Sequence, residues 1–291
     1  MKPGPKLAYK YLQSEIGIDT PPRKVVEVLT QIILKNGWAV AKEEALETAE
    51  NWSEKFLRVI ESEIGMLNEL GRPPFVAVNS SSGYMLQGVS FVEPGDPTEV
   101  REAKIRRSTS TDYLNALQGV SPSDFEAVCK GILSCLGAGS LRITRKTRDE
   151  GIDFFGQLRL ENRSGSPLQF RTVERQLKVW LVGQAKRFIK NQVSTFEVRE
   201  LVGSVQLARA SVYSSSGDKY PDLKIRPCDP VFFLLFTTGV ISRDTWKLVE
   251  RSGVVCMDGE MVAGFLAENG VATVAQRFNS SKFMAWINAQ R

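Results

Sequence analysis

A chain of 291 residues, 42% hydrophobic and 24% charged, is long enough for two domains with separate cores and has the composition of an ordinary soluble protein. It contains no histidine, which excludes Ser-His-Asp and Cys-His catalysis, histidine-ligated zinc and every histidine general base. A net charge of +5 mildly favours a polyanionic partner, while four cysteines (Cys129, Cys135, Cys228, Cys256) without a C-x-x-C pair indicate neither a zinc knuckle nor a disulfide framework.

No apolar run approaches the roughly 20 residues of a membrane span, and Met1-Lys2-Pro3-Gly4-Pro5-Lys6 lacks the apolar region of a signal peptide. The expectation is therefore a cytoplasmic protein with no membrane partner. Residues 1–20 read as an irregular tail. Pro21-Pro22 opens a helix with Val25, Val28, Leu29, Ile32 and Ile33 on one face, closed at Asn36-Gly37. A short helix is expected over 42–50, and another from the N-cap Ser53, with Phe56, Ile60, Ile64 and Leu67 at helical spacing. Phe75-Val76-Ala77-Val78, a serine-rich turn and Tyr84-Met85-Leu86 then signal a hairpin.

Three helices and a hairpin make residues 21–88 winged-helix-like, a fold whose third helix enters the major groove in DNA-binding examples. Lys55 and Arg58 are the candidate contacts, but Glu54, Glu61, Glu63 and Glu69 crowd the same helix. DNA reading therefore stands beside a dimerisation or purely structural role. Residues 89–120, with Pro94-Gly95-Asp96-Pro97 and Ser108-Thr109-Ser110-Thr111, read as a linker containing at most a short helix.

Residues 121–291 form the second domain. Ser121-Pro122-Ser123-Asp124 starts a helix with Phe125, Val128, Cys129, Ile132, Leu133 and Leu136 on one stripe, ending at Gly137. Strands follow at 141–144, around 152–155 and from 178, then a helix over 194–209, a strand covered on both faces over 231–236, and helix, strand and helix up to 268. This order describes a mixed α/β layer fold.

Asp153 in one strand and Gln184-Ala185-Lys186 in the next carry the candidate chemistry. Strand side chains alternate, so Gln184 and Lys186 share a face, and pairing of the two strands brings Asp153 to them. Carboxylate and amide oxygens with one ammonium suit a divalent metal and a phosphodiester. Taken alone the spacing also fits an exposed acid and a solvated lysine. Glu126, in the first turn of its helix, is either an acid interacting with the helix dipole or a further carboxylate leaning over the pocket. Clusters at Arg142, Arg145, Lys146 and Arg148, and at Lys186, Arg187 and Lys190, flank the pocket in sequence and are candidate phosphate contacts.

Six landmarks stand in this order: Asp124-Phe125-Glu126, Asp149-Glu150-Gly151-Ile152-Asp153, Gln184-Ala185-Lys186, Val198-Arg199-Glu200-Leu201-Val202-Gly203, Phe236-Thr237-Thr238-Gly239 and Met257-Asp258-Gly259. Together they resemble the Mrr-type restriction endonucleases, a branch of the PD-(D/E)xK nucleases with glutamine at the second acidic position. The resemblance covers about residues 121–268. It implies a restriction-endonuclease-like mixed sheet flanked by helices, and a metal-dependent endonuclease acting on double-stranded DNA in restriction or genome defence, with dependence on base modification left open. It also implies roles for four residues: Asp153 as the metal-binding acid, Gln184 as the replaced second acid, Lys186 as the catalytic lysine and Glu126 as the helix acid near the metal. Mg²⁺, with Mn²⁺ as a substitute, is the expected cofactor, and a homodimer the expected state during cutting. Long segments between Asp153 and Gln184, and between Arg209 and Val231, depart from the family pattern. A non-cleaving DNA-binding or assembly protein, and an RNA or branched-DNA nuclease, are the alternatives.

Overall fold

The computed structural model describes residues 2–79, 81–144, 151–158, 177–212 and 220–291. The chain divides into two compact units, Met1–Ser108 and Thr109–Arg291.

The first unit runs α1 (Pro5–Leu12), β1 (Arg23–Lys24), α2 (Val25–Lys35), α3 (Lys42–Glu69), β2 (Val76–Val78), β3 (Met85–Gly88) and α4 (Thr98–Ser108), with its strands in the order β1-β3-β2. Residues 1–20 are not an irregular tail. Ala8, Leu12 and Ile16, spaced four apart, are fully buried in a core with Val28, Ile32, Phe56 and Ile60. Arg23 and Lys24 do not begin a helix either, because they pair with Leu86 and Met85, and α2 starts only at Val25. The two helices expected over 42–71 are one. Ser53 does not cap: its hydroxyl donates to the Glu50 carbonyl at 2.8 Å, inside the continuous α3. The expected linker is largely helical. Its first helix, α4, is tied back to the hairpin through Lys104, which pairs with Asp96 at 2.8 Å and Glu93 at 3.8 Å, while Glu93 accepts from the buried Gln87 at 2.8 Å.

The second unit comprises α5 (Ser110–Gly119), α6 (Pro122–Cys135), β4 (Ala138–Ile143), β5 (Phe154–Leu158), β6 (Val179–Lys186), β7 (Gln192–Val193), α7 (Thr195–Arg209), β8 (Val231–Thr237), β9 (Val240–Ile241), α8 (Arg243–Ser252), β10 (Val255–Met257), α9 (Gly259–Glu268), β11 (Thr273–Val274), β12 (Arg277–Phe278) and α10 (Ser280–Gln290). Its main sheet has the order β10-β8-β6-β5-β4; β10, β8 and β6 are parallel, and β5 and β4 are antiparallel to their neighbours. The fold is a mixed α/β sheet flanked by helices.

Alternation along the strands sorts the two faces. Phe154, Leu181, Leu234 and Phe236 enter one core with α5, α6, α9 and α10. Trp180, Val182 and Gln184 alternate with these, and α7 packs against β6 and β8. The helix α5 sits in the expected linker, yet its Tyr113 and Leu117 are fully buried in this core, so the linker residues divide between the two units. The apolar run of β8 is covered on both faces only from Leu234 onward; Phe232 is exposed. The terminal hairpin and α10 carry no counterpart in the sequence reading. The helix α10 seats Phe283 and Ile287 in the core, and the Trp286 ring lies where any Cβ on Gly131 would stand, 2.4 Å away.

Candidate active site

Asp153 immediately precedes β5 and is fixed from both sides. Its N–H donates to the Gly183 carbonyl at 2.9 Å, and its own carbonyl accepts the Thr144 N–H at 2.9 Å. The Thr144 hydroxyl adds a 2.6 Å bond to the Ile152 carbonyl. The Asp153 carboxylate turns onto β6, where Oδ2 accepts the Ala185 N–H at 2.7 Å, a charge-assisted bond that holds it between Gln184 and Lys186. Two glycines make this approach possible. Gly151 lies at φ 74°, and a Cβ there would meet Ser204 Oγ of α7 at 2.4 Å. A Cβ on Gly183 would stand 2.3 Å from the Phe154 ring.

Gln184 is 3% exposed, and its Nε2 donates to Glu200 Oε2 at 3.2 Å. Lys186 Nζ reaches the same Glu200 oxygen at 3.1 Å. Gln184 Oε1 is buried and has no hydrogen-bond partner among the described residues. Glu200 stands on α7, whose start is fixed by a capping box in which the Ser194 hydroxyl accepts from the backbone and Glu197 Oε2 accepts the Ser194 N–H at 2.8 Å. The end of β6 is pinned as well. Thr237, fully buried, donates to the Lys186 carbonyl at 2.7 Å, and Thr238 donates to the Phe188 carbonyl at 2.9 Å. The Phe236-Thr237-Thr238-Gly239 landmark is thus the clamp on the strand end that carries Lys186.

Glu126 lies in the first half of α6, half-buried. The Cys129 thiol, one turn further on, is pushed well above its ordinary pKa, first by burial and then by the charges of Asp153 and Glu126. Among the described residues no three acidic, cysteine or histidine side chains converge as a metal-binding group. Asp153, Gln184 and Lys186 are brought together, with Glu200 as a fourth member that the sequence reading missed. Glu200 does sit inside the Val198 to Gly203 landmark, but nothing in that landmark's spacing marks it as a partner of Gln184 and Lys186.

The candidate phosphate contacts are in varied states. Arg142 Nε pairs with Asp222 at 3.0 Å. Arg187 donates to the Gln118 carbonyl at 2.9 Å. Lys190 is exposed. Lys55 is exposed on α3, and Arg58 pairs with Glu54 along the same helix. Arg145, Lys146 and Arg148 lie outside the described residues, as does the turn expected at 149–150. No described helix is long and apolar enough to cross a membrane.

No curated protein matches the chain. Among solved structures it is similar to the MspJI restriction endonuclease in complex with a 27-mer oligonucleotide, at 16% identity and TM-score 0.40 over 69% of this chain and 39% of that one. It is likewise similar to the DNA modification-dependent restriction endonuclease AspBHI, at 18% identity and TM-score 0.38 over 73% of this chain and 46% of that one. The chain thus spans less than half the length of either structure. The restriction endonuclease family Mrr_cat matches residues 117–218, the stretch that holds Glu126, Asp153, Gln184, Lys186 and Glu200. Over that stretch the chain is similar to the Mrr-type restriction endonucleases.

Proposed function

We propose that the second unit is a metal-dependent endonuclease that hydrolyses phosphodiester bonds in double-stranded DNA, in restriction or genome defence. The observation that carries this reading is the buried Gln184 Oε1, without a hydrogen-bond partner among the described residues, beside the Asp153 carboxylate and the Lys186 ammonium. A buried carbonyl oxygen without a donor costs on the order of 1–3 kcal/mol, and a hard cation removes that cost. The donor set, all oxygen with no histidine or thiolate, fits Mg²⁺, with Mn²⁺ as a substitute. Asp153 and Gln184 would hold the cation, and Glu126 would add a carboxylate from α6. Bound there, it would neutralise phosphate charge and lower the pKa of a water.

The chain's own residues account for the rest. The backbone bond from Ala185 keeps the Asp153 carboxylate facing β6. Lys186 brings a fixed positive charge to the phosphate, where negative charge grows as water attacks phosphorus and one ester bond breaks. The α1-β1-α2-α3-β2-β3 order with sheet order β1-β3-β2 supports a winged-helix-like first unit that targets DNA, through Lys55 and Arg58 of α3. The acids of α3, with Glu54 already holding Arg58, favour a role for this unit in assembly instead. Arg142, Arg145, Lys146, Arg148, Arg187 and Lys190 would track phosphates, and cutting both strands would take two copies of the single site. A cytoplasmic location completes the reading, and the requirement for base modification is left to the plasmid comparison below.

One observation favours a non-cleaving DNA-binding protein: Lys186 is already neutralised by Glu200. Incubating the full chain with methylated and unmethylated supercoiled plasmid, RNA and branched DNA, with Mg²⁺ or Mn²⁺, separates the readings. Nicking of plasmid is expected. Binding without cleavage of any substrate contradicts an enzyme, and preferential cutting of RNA or junctions changes the substrate.

A further inference from the structure

Glu200 meets the two site residues of β6 through one oxygen. A carboxylate only accepts hydrogen bonds, so the end of the Gln184 carboxamide that lies 3.2 Å from Glu200 Oε2 must be the NH₂ group. The amide oxygen is thereby turned away from Glu200, and it is this oxygen that lies buried without a hydrogen-bond partner among the described residues. Without Glu200, the carboxamide could rotate and present nitrogen, which a hard cation does not accept. The same carboxylate oxygen receives Lys186 Nζ at 3.1 Å, two residues along the same face of β6.

The helix that carries Glu200 is rigidly placed. A capping box sets its first turn, and Val198, Leu201 and Val205 are buried. One turn beyond Glu200, Ser204 touches the turn leading to Asp153, since a Cβ on Gly151 would lie 2.4 Å from Ser204 Oγ and 3.5 Å from Glu200 Cγ. One face of α7 therefore stands against the approaches to Asp153, Gln184 and Lys186 alike.

We propose that Glu200 is a positioning residue of this site: it sets the polarity of the Gln184 carboxamide so that oxygen is offered to a divalent cation, and it anchors Lys186. Glu200 Oε2 already accepts from both side chains, so Glu200 acts through them. The inference rests on the metal-dependent reading of the site.

Calorimetric titration of the full chain with Mg²⁺ alone, without DNA, tests it apart from cleavage, on variants whose folding is checked by circular dichroism. Glu200→Ala is expected to weaken Mg²⁺ binding about tenfold or more, the usual effect of removing a group that orients a ligand. Glu200→Gln is expected to retain more affinity than Glu200→Ala, because its own carbonyl oxygen can accept from Gln184 Nε2. Gln184→Glu sets a second carboxylate against Glu200, so the double variant Gln184→Glu with Glu200→Gln is expected to bind Mg²⁺ more tightly than Gln184→Glu alone. If the unsubstituted chain binds Mg²⁺ and Glu200→Ala binds it equally, the positioning role is overturned while the metal site stands. A chain that binds no divalent cation overturns the metal reading and this inference with it.

Discussion

Replacing Gly183 by alanine places one methyl group where the structure has no room. Its Cβ would lie 2.3 and 2.5 Å from two atoms of the Phe154 ring and 2.9 Å from the Leu234 carbonyl oxygen. Contacts of carbon with carbon are ordinarily near 3.5–4.0 Å, so the ring must yield by about 1 Å. It cannot do so freely, because Phe154 is fully buried and stacked on Phe236 with ring centroids 5.6 Å apart. Overpacking of this kind costs about 1–3 kcal/mol, which for a unit of this size lowers the melting temperature by about 2–4 °C per kcal/mol. Phe154 is the neighbour of Asp153, and Gly183 accepts the Asp153 N–H, so the displacement reaches the carboxylate and cleavage should fall more than stability does. Gly203→Ala is the control: it lies on α7 with nothing within 4 Å of the added methyl, and should stabilise by about 0.5–1 kcal/mol. Calorimetric melting and plasmid nicking are read on both variants. A Gly183→Ala protein with unchanged melting temperature and full activity would refute the packing argument.

Lys104, hydrogen-bonded to Asp96, holds that carboxyl below its ordinary pKa. A depressed folded-state value contributes stability that is present above the unfolded value of about 3.9 and is lost as pH falls through the folded one. Asp96→Asn should therefore melt below the parent chain at pH 7, with the gap closing toward pH 2; a gap independent of pH would remove the ion pair as its cause. A fragment starting at Thr109 should fold, whereas one starting at Val120 should be less stable or unfolded, because it lacks the fully buried Tyr113 and Leu117; equal melting of the two would contradict this. Neutralising Arg145 and Lys146 together should reduce the log-log salt slope of DNA binding by about two, and an unchanged slope would take this cluster out of the interface.

The site was more legible in the sequence than the first unit was. Asp153, Gln184 and Lys186 could be placed because strand alternation and a few glycines constrain neighbouring strands strongly, and the landmarks at 236–239 and 257–259 prove to be a strand-end clamp and the N-cap Asp258. Glu200 was not legible as a site residue: its part depends on contact between a helix and a strand, which spacing alone does not encode. In the first unit, Ser53 was misread because a serine that caps a helix and one that bonds back to residue i−3 look alike without a neighbouring breaker. Ala8, Leu12 and Ile16 did repeat at helical spacing, but polar and proline residues around them masked so short a stripe.

The central claim is that Asp153 and Lys186 are chemical and not structural residues. Plasmid cleavage across a Mg²⁺ titration, measured on the full chain, Asp153→Asn and Lys186→Ala, each confirmed folded, tests it most directly. Asp153→Asn is expected to lose cleavage at every Mg²⁺ concentration, because the carboxylate charge is gone while its shape remains, and Lys186→Ala to lose cleavage while still binding the metal. Full cleavage by either variant would contradict the site and the enzyme built on it.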